Sequence, residues 1–209
     1  MSGLSIYPTY RAMRGAIRRR LMGERVNLDR VVLRHEMRRI LASLPVSEMD
    51  ALEISGDSWK DSGFKSFTAK HFPEYDVCAG PLSQSFDLVI AEQVFEHLLY
   101  PRRAAQNVYA TLRRGGYFIL STPFLQKVHN FPVDCSRWTE MGLKYLLEEA
   151  GFELDDIQTW SWGNRAAARA NLNPKKFPTY NPYLHSLKNE PQFPVQVWAL
   201  ARRGGSPKT

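Results

Sequence analysis

The sequence has few cysteines and no long apolar run. Only Cys78 and Cys135 occur in 209 residues, and neither belongs to a Cys-x-x-Cys pair or to a Cys/His cluster. This pattern argues against a disulfide scaffold and against a cysteine-bound structural zinc site. No apolar run approaches the roughly 18 residues of a membrane-spanning helix, and the N-terminus has no apolar region typical of a secretory signal. We therefore predict a cytoplasmic protein.

Excess positive charge is confined to one end of the chain. Residues 1–40 hold ten arginines against three acidic residues, which accounts for the whole formal net charge of +7. Such an arm favours contact with an anionic membrane surface or an acidic partner, although a solvated helix face explains it equally well. The neutral remainder offers no general basic field, so we predict no nucleic-acid partner. Peripheral membrane contact through the arm and homodimer formation both stay open.

The pattern of apolar residues predicts an α/β fold. Helical spacing extends over residues 10–44, and Pro45 ends it. The predicted strands are Ala51–Ser55, Phe64–Ala69, Phe86–Ala91, Tyr117–Ser121, Phe152–Trp160 and Val195–Ala201. The predicted helices after residue 50 are Val94–Leu112 and Thr139–Ala150. This alternation is typical of a doubly wound, mostly parallel sheet with helices on both faces. We divide the chain into an N-terminal helical arm or cap, residues 1–48, and a domain, residues 49–209.

Three loops at one sheet edge carry most of the chemistry. Open α/β sheets bind ligands at the carboxyl ends of their strands. The loops that follow the first, third and fourth predicted strands read SGDSWK, EQVFEHL and TPFLQKVHNFPVDCSRW. All three are rich in polar, aromatic or ionisable residues. Their concurrence at one edge predicts an enzyme that binds a small molecule.

Two segments resemble class I S-adenosylmethionine-dependent methyltransferases. In the run from Ser85 to Pro123, the residues that match the family pattern are Asp87, Glu96, His97, Gly115 and Gly116. The segment from Leu52 to Lys60 is similar to the family's Glu-x-Gly-x-Gly turn in a degenerate form. The resemblance implies a Rossmann-like sheet of seven strands and S-adenosylmethionine as cofactor.

A third segment resembles methyltransferases that act on sugars. It follows the pattern H-x-x-P-x-D-x-x-R-W-T-x-x-G-L, and the residues that fill it are His129, Pro132, Asp134, Arg137, Trp138, Thr139, Gly142 and Leu143. The resemblance implies O-methylation of a sugar or glycoside, as in polysaccharide or glycosylated-metabolite biosynthesis. A non-sugar natural-product acceptor and a non-catalytic binding protein stay open. No Asn-Pro-Pro-Tyr motif, which would hold a flipped base, follows the third strand, because Glu92 and Gln93 stand there.

The same resemblance implies the cofactor-binding residues. They are Glu53, Ser55, Gly56, Asp57, His71, Asp76, Glu92 and Gln93. The glycine and serine of the first turn let the backbone approach the methionine end of the cofactor. The expected acid for the ribose hydroxyls is missing after the second strand, where Lys70 and His71 stand instead.

Candidate catalytic residues follow from the need to deprotonate a hydroxyl. Histidine is the commonest base because its pKa lies near neutrality. His129 is the first candidate and His97 the second, with Asp134 as orienting group or base and Arg137 to fix Asp134 or an acceptor oxygen. A purely structural ion pair between Asp134 and Arg137 is the alternative. The resemblance to sugar methyltransferases leaves open a divalent ion that acidifies the hydroxyl, for which the candidate ligands are Glu92, Glu96, His97, Asp134 and His129. No ligand spacing singles these residues out, so we predict no metal site.

Four tryptophans have two interpretations. They are Trp59, Trp138, Trp160 and Trp162. As a group they would form a stacking wall for a sugar ring, whereas each one singly is at least as well explained by core packing.

Overall fold

A computed structural model describes residues 26–130, 132–173 and 176–204. The part of the predicted helix over residues 10–25, and with it most of the arginine-rich arm, lies outside the described residues. The helices are α1 (Leu28–Ala42), α2 (Pro101–Thr111), α3 (Glu140–Glu149) and α4 (Arg165–Asn171), with 3-10 turns at Val46–Glu48, Phe95–His97 and Leu154–Asp156. None of the helices in these ranges is both long and apolar enough to cross a membrane.

The described strands form one mixed sheet. They are β1 (Asp50–Ile54), β2 (Ser66–Lys70), β3 (Phe86–Glu92), β4 (Leu112–Pro123), β5 (Ile157–Trp162) and β6 (Gln196–Arg202). Their order is β2-β1-β3-β4-β6-β5. The pairs among β1 to β4 are parallel, while β6 runs antiparallel to both β4 and β5. The α/β fold is confirmed, but the described sheet has six strands instead of seven and is partly antiparallel.

Strand β3 is buried on both faces. Val89 and Ala91 belong to one apolar cluster, whereas Leu88 and Ile90 belong to the other. Successive side chains of a strand point to opposite faces of the sheet. The uninterrupted apolar run from Leu88 to Ala91 therefore packs into the cores on both faces. Helices α2 and α3 cover the first face, and α1 and α4 cover the second.

The described part of the N-terminal segment packs on the sheet. Leu33, Met37 and Ile40 of α1 are at most 2% exposed and share a cluster with Leu88 of β3 and Trp198 of β6. Apolar spacing near three and four on a helix gives such a stripe. Helix α1 is therefore held against the domain from residue 28 onward. The division of the chain at residue 48 stays a prediction.

Several predicted element boundaries were wrong. The predicted helix Val94–Leu112 is a 3-10 turn and a separate helix, because α2 begins at Pro101, a residue that suits a first helical turn. The Arg113–Gly116 segment belongs to β4 rather than to a helix stop. The strand predicted from Phe152 begins only at Ile157. Helix α4 was not predicted. The helix predicted from Thr139 begins at Glu140, and Thr139 caps it, with its hydroxyl accepting from the Gly142 amide at 3.1 Å.

Gly163 lies where three pieces of backbone meet. It connects β5 to α4, its amide donates to the side chain of Asn189 at 2.9 Å, and its carbonyl accepts from the Glu190 amide at 2.7 Å. A Cβ at this position would lie 2.0 Å from the carbonyl oxygen of Phe193 and 2.5 Å from the amide nitrogen of Val195. Backbone atoms cannot move aside as a flexible side chain can, so only glycine fits.

We expect Gly163→Ala to lower the free energy of unfolding by about 1–3 kcal/mol, the usual cost of overpacking. Urea unfolding measures the change as a shift in midpoint. Gly80→Ala is the matched control, because a Cβ there has nothing within 4 Å. Equal midpoints for the two variants would contradict the close approach at Gly163.

Candidate functional site

The turn after β1 is organised around the carboxylate of Glu53. This side chain is 2% exposed and accepts hydrogen bonds from the backbone amides of Ser58, at 3.2 Å, and Trp59, at 3.0 Å. Burial raises the pKa of Glu53 above its usual value, and the two amide donors oppose that shift. A Cβ on Gly56 would lie 2.2 Å from Glu53 Oε1, so a larger residue there would displace this carboxylate. Glu53 thus shapes the turn from inside, leaving the backbone near Ser55 exposed.

The loop after β3 is tied to that turn and to α1. Glu92 Oε2 accepts from the Trp59 indole at 2.9 Å, and Glu92 Oε1 pairs with the guanidinium of Arg30. Gln93 has a φ of 58° and donates its amide to the Ser121 carbonyl at 3.0 Å. Positive φ is uncommon for residues other than glycine and turns the chain sharply at the end of the strand. The ends of β1, β3 and β4 are therefore fixed relative to one another.

A chain of amides connects α1 to the same place. Gln93 Nε2 donates to Gln196 Oε1 at 2.7 Å, and Gln196 Nε2 donates to Asp29 Oδ2 at 2.8 Å. Gln196 is fully buried and Asp29 is 6% exposed. Buried polar groups that satisfy one another specify a single arrangement. This chain therefore fixes the position of α1 over the carboxyl edge of the sheet.

The loop after β4 is held by Asp134. Its carboxylate, with a side chain 4% exposed, accepts two hydrogen bonds from Arg137, one from the His129 amide at 2.8 Å and one from His129 Nδ1 at 3.2 Å. Burial by itself raises the pKa of Asp134. The hydrogen bonds from Arg137 and His129 outweigh that effect and lower the pKa to about 2. Asp134 is therefore ionised and positions the His129 ring. The bond from Nδ1–H leaves Nε2 as the atom of His129 with a free lone pair.

Glu96 and His97 lie on the 3-10 turn after β3. Glu96 is fully buried, and neither of its carboxylate oxygens accepts a hydrogen bond from another described residue. Burial raises the pKa of Glu96 to about 7, against the lowering effect of Arg137 and Arg30. His97 donates from Nδ1 to the Val133 carbonyl, and its ring meets the His129 ring edge-on with centroids 5.0 Å apart.

These elements surround a cleft of about 150 Å³ at the carboxyl edge of the sheet. It is lined by Asn27, Asp29, Arg30, Gln93, Glu96, His97, Gln126, His129 and Phe177. All of these residues except Phe177 are polar or charged. The cleft therefore presents hydrogen-bonding groups on most of its wall and one aromatic ring.

The structure brings together only part of the predicted site. His97, His129 and Gln93 line the cleft, while Asp134 and Arg137 lie behind His129 and support it. The predicted ion pair between Asp134 and Arg137 is present, and it coexists with the orienting bond to His129.

The predicted cofactor residues fall into two groups. Glu53, Ser55, Gly56, Glu92 and Gln93 lie on adjacent loops at the ends of β1 and β3. Asp57 is exposed, with its nearest cation at Lys60, 3.8 Å away. His71 and Asp76 are exposed beyond β2, where the Asp76 carboxylate accepts from the Cys78 amide. Their predicted contact with the cofactor stays a prediction.

No tryptophan lines the described cleft. Trp59 and Trp162 are 6% and 3% exposed, and their indoles donate to Glu92 and to the Leu187 carbonyl. Trp138 and Trp160 pack against the two apolar clusters. The core interpretation therefore holds for these side chains, and the aromatic surface of the cleft comes from Phe177.

Sequence reasoning named Glu96 without giving it a settled role, and it missed Arg30 and Gln196. The position of Glu96 could have been inferred from the sequence. A Glu-His pair follows one predicted strand and a histidine follows the next, and these residues come together when the two strands pair in parallel. The positions of Arg30 and Gln196 could not, because their contacts join residues 62 and 103 positions apart in the chain.

Comparison with known proteins agrees with this geometry. Residues 35–118 match a family described as a methyltransferase domain. A protein of Mycolicibacterium smegmatis described as a probable S-adenosylmethionine-dependent methyltransferase is 31% identical over 102 residues. That alignment covers 41% of this chain and 38% of the relative, so the chain spans about two fifths of that protein.

Solved structures share the fold at low sequence identity. A SAM-dependent methyltransferase from Archaeoglobus fulgidus aligns over 90% of this chain and 99% of its own, with a TM-score of 0.56 and 14% identity. A Thermotoga maritima SAM-dependent methyltransferase, described as a possible histamine N-methyltransferase, covers 92% of this chain and 97% of its own, with a TM-score of 0.53 and 15% identity. Residues 35–118 thus match a methyltransferase domain, and the chain as described shares the fold of these two solved structures.

Proposed function

We propose that this protein transfers a methyl group from S-adenosylmethionine to a hydroxyl oxygen of a sugar or glycoside. The observation that carries this proposal is the polar cleft beside the cofactor loops, in which eight of nine lining residues offer hydrogen-bonding groups. Most pockets for small molecules are predominantly apolar. A wall of amides, carboxylates and imidazoles suits an acceptor that is itself covered with hydroxyl groups.

The cofactor fits best across the ends of β1 and β3. The turn from Ser55 to Ser58 is exposed at the carboxyl end of β1 and is braced from below by Glu53, so its backbone is free to face the methionine part. Gln93 begins the next loop and lines the cleft, which sets the sulfonium beside the acceptor. After β2, neither Lys70 nor His71 supplies the carboxylate that ribose hydroxyls favour. We therefore assign the methionine end of the cofactor to these loops, and we keep His71 as the predicted contact near the ribose and Asp76 as the predicted contact near the adenine.

The reaction needs an aligned oxygen and a route for its proton. In the transfer, the acceptor oxygen forms a bond to the methyl carbon while the carbon–sulfur bond breaks and its electron pair stays on sulfur, which yields S-adenosylhomocysteine. The hydroxyl proton must leave, because a protonated product oxygen is unstable. His129 faces the cleft with its Nε2 lone pair free and its ring held by Asp134. We therefore place His129 at the reacting hydroxyl, with Asp134 and Arg137 as its positioning residues.

We expect His129→Ala to lower turnover by about 10²–10⁴-fold, the usual contribution of a group that assists proton removal. Affinity for S-adenosylhomocysteine should stay within about twofold, because His129 lies on the acceptor side of the site. Methyl transfer from labelled cofactor to a panel of mono- and oligosaccharides measures the first, and titration calorimetry the second.

His35→Ala is the matched control, since the side chain of His35 is 77% exposed on α1 and lies outside the cleft. Undiminished turnover of His129→Ala would remove His129 from the reaction. An active enzyme that methylates no member of the sugar panel would reject the proposed acceptor.

A second prediction addresses the cofactor loop. We expect Gly56→Ala to weaken binding of S-adenosylhomocysteine by about tenfold or more, equivalent to about 1.4 kcal/mol. The added Cβ would lie 2.2 Å from Glu53 Oε1, so the turn that faces the methionine end must shift. Titration calorimetry measures the affinity, with Gly80→Ala as control. An unchanged dissociation constant in folded Gly56→Ala protein would place the cofactor elsewhere.

A further inference from the structure

Glu96 differs from the other carboxylates around the cleft. Glu53 accepts two backbone amides, Glu92 accepts an indole and a guanidinium, and Asp134 accepts Arg137 and His129. Glu96 is fully buried, yet neither of its oxygens accepts a hydrogen bond from another residue of the described ranges. Burial of an ionised carboxylate without a partner is costly. A cation bound beside this carboxylate would offset that cost.

Two imidazoles stand beside this carboxylate. Glu96 Oε1 lies 3.8 Å from His97 Nε2, and one ligand atom each from Glu96, His97 and His129 lie within 4.8 Å of one another. The nearby guanidinium groups of Arg30 and Arg137 are engaged by Glu92 and Asp134. No arginine or lysine of the described residues forms an ion pair with Glu96.

The Nδ1 atoms of both imidazoles are hydrogen-bonded in the way that is usual for metal-binding histidines. His97 donates from Nδ1 to the Val133 carbonyl, and His129 donates from Nδ1 to the Asp134 carboxylate. Metal-binding histidines almost always donate their second N–H to a carbonyl or carboxylate, which fixes the ring and its tautomer. The loop that supplies these acceptors is itself anchored to Glu96, whose carbonyl accepts from the Cys135 amide at 2.7 Å.

We propose that Glu96, His97 and His129 bind a divalent transition-metal ion at the wall of the cleft. Two imidazoles and one carboxylate suit ions from Mn²⁺ to Zn²⁺, whereas Ca²⁺ and Mg²⁺ prefer all-oxygen sites. Ligands at about 2.1 Å from a shared ion lie roughly 3 to 3.5 Å apart, so the three groups need to close by about 1 Å. Three protein ligands leave coordination positions open toward the cleft.

This inference rests on the proposed function and gives it a mechanism. An acceptor hydroxyl that occupies an open position of the ion has a lowered pKa and is a better nucleophile toward the methyl group. His129 would then act as a ligand instead of the base, and the hydroxyl proton, made more acidic by the ion, would pass to solvent water. The negative charge of Glu96 is balanced by the same ion.

Metal binding is measured directly on the full-length, untagged protein after chelator treatment. We expect titration calorimetry with Mn²⁺, Co²⁺ and Zn²⁺ to show one site per chain for at least one ion. Glu96→Gln should weaken that binding by about 100-fold or more, and Asp134→Asn, which removes only the support of His129, by about tenfold or more. Glu148→Gln, an exposed position on α3, is the matched control and should bind as wild type.

The outcomes separate the site from the reaction. No binding of any of the three ions by wild type, or equal affinity of Glu96→Gln and Glu148→Gln, overturns the metal site. If Glu96→Gln does not fold, the more exposed His129→Gln applies the same test. Metal binding without methyl transfer to any sugar supports the site and rejects the acceptor. Full transfer by metal-free protein in chelator supports the proposed function and overturns the role of the ion.

Discussion

Burial of β3 on both faces is the constraint on which the site depends. Leu88 and Ile90 pack into one core, while Val89 and Ala91 pack into the other. A shift of the strand by one residue relative to its neighbours would move each of these side chains to the opposite face of the sheet. Parallel pairing with β1 and β4 then brings the loops that follow all three strands to one edge. The carboxylates and imidazoles of the site are placed by this register before they make any contact with one another.

Charge around the cleft is divided between supported and unsupported carboxylates. Glu53 and Asp134 are each held by several donors and act as parts of the framework, one beneath the first turn and one behind His129. Glu92 joins α1 to the cofactor side of the site through Arg30. Glu96 has no comparable donor. The carboxylates that hold the loops in place are thus distinct from Glu96, which is the carboxylate available to a ligand.

The features that could be predicted from sequence are those set by local pattern. The continuous apolar run of β3 and the Thr139 cap of α3 are readable because period and capping depend on near neighbours. The helix predicted through Pro101 was wrong because apolar spacing continued across the break. The isolation of Glu96 and the contacts of Arg30 and Gln196 arise only from tertiary structure. Of the candidate site, the loops, the pairing of His129 with Asp134 and the approach of Glu96 to the histidines were therefore accessible, whereas the lack of a hydrogen-bond donor to Glu96 was not.

Asp29 and Arg30 of α1, together with Asn27 just before it, line the cleft, although the apolar side of the helix is part of the domain core. Arg30 also pairs with Glu92, and Asp29 is joined to Gln93 through Gln196. A substitution on this part of the helix therefore alters a wall of the cleft and the loop after β3 at the same time. The shape of the cleft and the position of that loop cannot vary independently of each other.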